Sequence, residues 1–174
     1  MRQEERRANT IDRLVRTAGK VIAAGGYERT TLETIAAAAG VSKGAVYAHF
    51  DSKLDLFLLV VDSELEAADQ RVEAVAAVMS GPTDISEVPR AYLAGESTAR
   101  HSGLMAEIWR EASAEPSVHH KIEAQRRRRL DRLAAAAIDA GALLAVAKKQ
   151  AELAVRLIDA AIVEAQLDAA RGVA

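Results

Sequence analysis

Residues 30–50 read TTLETIAAAAGVSKGAVYAHF, and this stretch decides the fold. Thr30 followed by Glu33 has the spacing of a capping box, which lets a helix satisfy its first free N–H groups at once. Ile35 and Ala39 then fall four apart on one face, with small Ala36 beside them where a second helix must come close. Gly40 stops this helix in the left-handed backbone that glycine adopts at little cost. Ser42 caps the next helix, whose inward residues are Val41, Ala45 and Val46. Two short helices joined by a glycine turn are the layout of a DNA-reading helix-turn-helix.

The flanking sequence extends the helical pattern both ways. Upstream, Ile11, Leu14, Val15, Ala18, Val21 and Ile22 form an apolar stripe that predicts a helix over about residues 5–24, stopped by Gly25-Gly26. Downstream, Asp51-Ser52 opens a helix with Asp55 in its first turn, where a carboxylate suits the helix dipole. Leu54, Phe57, Val61, Leu65, Ala68, Val72, Val75 and Met79 keep one apolar face along it, and nothing breaks it before Gly81-Pro82. Its length is therefore roughly 27 residues, or about 40 Å. It reads either as a rigid connection between two domains or as a long helix of one all-α unit. Further helices are expected at 85–101, 103–113, 117–141 and 146–171, with Gly103, Pro116 and Gly141 between them. Strand-like alternation is absent, so the fold class is all-α.

Composition bounds the function. The chain has 174 residues, half of them apolar, enough for a sizeable core. Aromatics make up only 3% and alanine is abundant, which favours closely packed helices. Cysteine is absent, which removes disulfides and thiolate metal sites and fits a reducing, cytoplasmic setting. Charges interrupt every candidate membrane span, and the charged amino terminus lacks the apolar core of a signal peptide. Residues 1–53 carry nine Lys/Arg against six Asp/Glu, while the remainder carries fourteen against nineteen. A basic head on an acidic body is expected if only the head meets phosphates.

The segment Gly40-Val41-Ser42-Lys43-Gly44-Ala45-Val46-Tyr47-Ala48-His49-Phe50, followed by Ser52-Lys53, resembles the recognition segment of the TetR family of bacterial transcriptional regulators. The Gly-Gly-Tyr27 entry and the Thr30-Thr31 start match as well, and the resemblance is specific over about residues 9–60. It implies an N-terminal three-helix DNA-binding domain, residues 1–53, and a C-terminal helical-bundle domain for effector binding and dimerisation, residues 54–174. It further implies that Thr31, Tyr47, His49 and Lys53 touch phosphates, while Lys43, Gly44, Ala45 and Ala48 face base edges, with the cap Ser42 at the same surface. The chemistry suits these roles. Thr31 and Lys53 sit at helix N-termini, Tyr47 offers a hydroxyl on a rigid ring, and Lys43 reaches guanine acceptors. With alanines at two base-facing positions, DNA shape is expected to contribute to specificity. Plainer readings stand beside these: Phe50 as a core aromatic, His49 as a packing or capping residue, Lys53 as a solvated lysine.

In the C-terminal half, Tyr92, His101, Met105, Ile108 and Trp109 fall on the two helices that flank the effector cavity in this family. Each alone reads equally as ordinary core. Arg126 to Arg129 form a run of four arginines on a helix whose inward face is Ile122, Leu130, Leu133, Ala134 and Ala137. They cannot all reach water, so Arg126 or Arg129 turns inward to meet an acid, an anionic effector or a dimer partner. Arg126 is the candidate taken as effector-binding. Adjacent His119 and His120 point apart on a helix, so no metal is expected there. Nucleophile-elbow, Walker and dinucleotide motifs are absent, so neither an enzyme nor a cofactor is expected.

Ala151, Ala154, Val155, Ile158, Ala161, Ile162 and Ala165 form an alanine-rich stripe that lets another helix approach closely. With residues 117–141 it is expected to build a four-helix homodimer interface, as two-fold DNA reading requires. Against the family pattern the chain stops where many members carry one more helix. The expected function is a dimeric repressor that leaves double-stranded operator DNA when a small-molecule effector binds. The alternatives are a helix-turn-helix regulator without such a ligand, and a helical bundle that never meets DNA.

Overall fold

The computed structural model describes residues 3–80, 84–94 and 98–171, and among these every regular element is helical. The elements are α1 (Gln3–Gly25), α2 (Leu32–Ala39), α3 (Lys43–Tyr47) and α4 (Lys53–Met79), a 3₁₀ turn (Ile85–Glu87), α5 (Val88–Leu93), α6 (Thr98–Ala112), α7 (Pro116–Asp139) and α8 (Leu144–Arg171).

Local chemistry sets the first four helices. Leu14, Ala18 and Ile22 of α1 are fully buried and meet Leu32, Ile35 and Ala36 of α2, Val46 of α3, and Leu56 and Phe57 of α4 in one core. Each of the Leu, Ile, Val and Phe side chains contributes about 1.5–3 kcal/mol by leaving water. Gly40 holds φ +66°, the left-handed cap expected of it, and its amide closes the last turn of α2 on the Ala36 and Ala37 carbonyls. The capping box of α2 lies one residue later than the Thr30–Glu33 spacing predicts. Thr30 is buried, and its hydroxyl donates to the Gly26 carbonyl at 2.7 Å. Thr31 therefore caps the helix, accepting from Thr34 N–H (3.1 Å) while Thr34 Oγ1 accepts from Thr31 N–H (3.0 Å). Glu33 is left free of the cap. A second capping box, Ser52 with Asp55, starts α4. That helix is 27 residues long, as its unbroken apolar face requires.

The helix predicted over 85–101 is instead interrupted after Leu93, and the break expected at Gly103 does not occur. Gly103 lies inside α6, where it faces α1: a Cβ there would stand 3.6 Å from the Ala23 carbonyl, and one on Gly19 would stand 3.4 Å from Leu104, both ordinary van der Waals contacts.

α7 runs along α4 in the same chain direction. Lys121–Asp62 (2.6 Å), Arg128–Asp69 (3.4 Å) and Arg132–Glu73 (2.6 Å) form a ladder at constant sequence offset, and Gln125 donates to the Leu65 carbonyl beneath it (2.9 Å). The stripe Ala151, Ala154, Val155, Ile158, Ala161 and Ile162 is buried within the chain itself, and Ala165 is half-buried. It is therefore not a free interface. α7 and α8 form a hairpin through Gly141 (φ +92°), so the close-packing face of α8 is used up inside its own chain. The outer face of α8 carries a second stripe, Val146, Leu153, Val163 and Leu167, each about half exposed.

Candidate nucleic-acid interface

Helix α3 is short because Ser42 begins it and the chain turns at Ala48, and only Val46 among its residues is buried. Lys43, Gly44, Tyr47 and Ala48 are consequently exposed together, with Ala45 half-buried at the edge. Ser42 Oγ accepts from Ala45 N–H at 3.1 Å and so serves as the cap. Gly44 has open space where a Cβ would stand, its nearest neighbour being Ser42 Oγ at 4.0 Å.

Glu33 of α2 organises this face. Its Oε1 accepts from Tyr47 Oη (2.9 Å) and pairs with Lys43 Nζ (2.7 Å), and Lys43 Nζ stands 5.7 Å from the Tyr47 ring centre. The Lys43 hydrogen bond, helped by Glu33's own backbone N–H and the Tyr47 hydroxyl, holds the Glu33 carboxyl down at about 2. The same carboxylate raises Lys43 and Tyr47. Lys43 and Tyr47 are thus held in one place by a single carboxylate on this exposed face.

The remaining predicted residues divide. Thr31 is exposed at the start of α2. His49 is half-buried, edge-on to Phe50, with Nδ1 buried and unpartnered, while Phe50 is core. Lys53 turns inward: Nζ donates to the Tyr27 carbonyl (3.0 Å) and lies 4.0 Å from the centre of the Tyr27 ring, which stacks on Phe57. Tyr27 N–H in turn donates to Glu107 Oε2 of α6 at 2.7 Å, and Glu107 pairs with Arg110. The turn after α1 is therefore tied both to the start of α4 and to α6.

Behind this junction lies a polar cluster in the core. Tyr92, His101, Met105 and Ile108, all singled out from the sequence, are buried there. Trp109 is not with them: it is half-buried at the α6–α7 corner beside Pro116 and His119. Arg126 is half exposed and reaches only toward Asp159, at 4.0 Å. Arg129 is the arginine that turns inward, 5% exposed, while Arg128 joins the ladder on α4 and Arg127 is exposed. Glu64, Arg71 and Asp159 complete the cluster and were not singled out from the sequence. A signal existed: Phe57, Glu64 and Arg71 recur at seven-residue spacing beside the buried stripe of α4, where charge is unexpected. His119 and His120 are exposed, and no metal-holding group of His, Asp or Glu occurs among the described residues.

Residues 14–60 match the model for bacterial regulatory proteins of the tetR family. Over 73 residues the chain is 36% identical to the HTH-type transcriptional regulator TtgR of Pseudomonas putida, covering 42% of this chain and 35% of that one. The chain thus matches about a third of the length of its curated relatives. Among solved structures, a transcriptional regulator from Rhodococcus superposes with a TM-score of 0.74 at 24% identity, covering 92% of this chain and 85% of the other. A regulator from Saccharomonospora viridis, solved in complex with choline, superposes at 0.69 with 21% identity, covering 95% and 87%. These two likenesses show a shared all-helical fold over most of the chain. No described helix is long and apolar enough to cross a membrane. Through its amino-terminal helix-turn-helix, residues 14–60, the chain is similar to the tetR family of bacterial regulatory proteins.

Proposed function

We propose that the protein is a dimeric DNA-binding repressor, released from its operator by a small-molecule effector, with residues 1–53 as reader and 54–174 as sensing and dimerising body. The observation that carries this is the exposed face of α3, fixed by a caps-and-glycine frame and lying within the family match. Lys43, Gly44, Ala45 and Ala48 face the bases in this reading, and Thr31, Tyr47 and His49 the phosphates, with Ser42 setting the start of the helix. Lys53 contributes by fixing the turn at Tyr27 rather than by meeting a phosphate with its ammonium, which is already bonded. On DNA, a phosphate competes with Glu33 for Tyr47, and a base edge competes with it for Lys43.

The dimer in this reading uses the outer stripe of α8, since the inner one is occupied. The effector acts by population shift: α6 carries both His101 in the polar cluster and Glu107 at the turn after α1, so a change in the cluster reaches the reader along one helix.

An unbiased selection from random double-stranded DNA with the purified protein tests the proposal. A two-fold-symmetric site, with half-sites about one helical turn or more apart, is expected. Tyr47→Ala is expected to remove binding with the thermal midpoint retained. Failure to enrich any sequence, or an asymmetric single half-site, refutes the dimeric reader.

A further inference from the structure

Arg129 is a buried cation short of acceptors. A guanidinium carries five N–H donors and is never neutral in a protein. Here Nε is buried with no partner, Nη2 donates to the Tyr92 hydroxyl only at 3.4 Å, and Nη1 stands 4.0 Å from Asp159 Oδ1. Its charge also lies 5.7 Å from the centre of the Tyr92 ring. Such a group, withdrawn from water without a close anion, calls for an acceptor that the chain supplies only at long range.

Resting on the reading of this chain as an effector-controlled regulator, we propose that Arg129 anchors an effector bearing a single carboxylate, which displaces Asp159 as the guanidinium's anion. Asp159 already sits between two arginines, 4.0 Å from Arg129 and 4.0 Å from the half-exposed Arg126. It has a partner waiting on the solvent side when an incoming acid takes Arg129. Burial also raises the Asp159 carboxyl, so its charge is poorly stabilised where it stands.

The charge balance favours one negative charge. Arg71, Arg126 and Arg129 face Glu64 and Asp159, three fixed cations against two carboxylates. A monoanion closes that balance; a dianion or a cation does not. The planar fork of Arg129, with Nε free, fits the two oxygens of a carboxylate.

The same contacts form a continuous chain of polar groups. Arg129 donates to Tyr92 Oη, Tyr92 stands 3.4 Å from His101 Nε2, and His101 Nδ1 bonds Glu64 on α4. His101 Nδ1 meets both the Glu64 carboxylate, which accepts, and the Arg71 guanidinium at 3.1 Å, which donates, so the imidazole tautomer sets which way the Tyr92–His101 bond runs. Burial keeps the Tyr92 phenol protonated. A carboxylate on Arg129 draws on the far end of a chain whose other end joins α6 to α4.

The test uses the full chain with benzoate, phenylacetate and octanoate, each beside its own amide at matched ionic strength. Thermal midpoints and affinities are measured for the wild type and for Arg129→Met, and the wild-type Arg129 Nε–H resonance is followed by NMR. At least one acid is expected to raise the midpoint and move that resonance while its amide does neither. Arg129→Met is expected to weaken the same acid by at least about tenfold, the loss of one charge-assisted hydrogen bond. Acid and amide binding alike, undiminished acid affinity in the variant, or no response to any acid overturns the proposal. If Arg129→Met does not fold, the wild-type resonance decides alone. Release of the selected DNA separates the two readings. A neutral or cationic compound that releases DNA when the acids do not removes the carboxylate site and keeps the regulator; failure of DNA selection with intact acid binding does the reverse.

Discussion

Replacing Glu107 with alanine removes the carboxylate that ties α6 to the turn after α1. The Tyr27 N–H loses an acceptor at 2.7 Å, and the Glu107 side chain is only 17% exposed, so solvent screens the bond little. A hydrogen bond to a charged partner contributes about 1.5–3 kcal/mol. The accompanying Arg110 pair spans one turn of helix with Arg110 half exposed, and adds a few tenths at most. The loss is therefore about 2 kcal/mol, which for a chain of this size lowers the thermal midpoint by roughly 4–8 °C. Glu107→Gln keeps an oxygen for Tyr27 but not the charge, and is expected to lose about half as much. Circular dichroism melts measure both, and amide exchange at Tyr27 reports the bond directly, accelerating in the alanine variant. A Glu107→Ala midpoint within about 1 °C of wild type, or unchanged Tyr27 exchange, would show that α6 is not fastened to the reader at this point.

Three other expectations follow from single features. Gly40→Ala is expected to cost about 1–2 kcal/mol because φ is +66° while no atom stands near its Cβ position, whereas Gly25→Ala, equally open but without a positive φ, should cost nothing; equal melts for the two would refute the strain argument. The Glu33 carboxyl titrates at about 2 against 4.5 unfolded, so its support is full above pH 4.5 and fades as pH falls through about 2; a carbon-detected NMR midpoint near 4.5, in the wild type rather than only in Lys43→Ala, would contradict the pairing. Leu153→Glu on the outer face of α8 is expected to halve the solution mass by light scattering without changing the melt of the monomer, and an unaltered mass would move the dimer interface elsewhere.

The reader was legible in the sequence because its signals are local. A glycine that needs a left-handed backbone and serines that cap helices act within four residues, and both appear where the spacing predicts. The capping box of α2 slipped by one because two adjacent threonines compete for it, and only tertiary burial of Thr30 decides between them. Gly103 looked like a break because a glycine that ends a helix in the left-handed backbone and one that sits within a helix are the same letter, and Gly103 has no positive φ. The alanine stripe of α8 identified a close helix contact but not whose helix; the hairpin with α7 answers that. The polar cluster was legible only in parts: Tyr92, His101 and an inward arginine stood out singly, but that they join Glu64 and Asp159 was not, since the five come from five different helices and meet only in the folded chain.

The long α4 also sets a scale for control. Glu64 lies eleven residues from its first residue, Lys53, a distance of about 17 Å along the axis. A tilt of about 10° pivoting at Glu64 carries the Lys53 end through about 3 Å. That is close to the 3.4 Å rise of one base pair along a DNA strand. In the proposed function, a core side-chain exchange that tilts α4 by this much would shift the proposed reader by one step of the double helix.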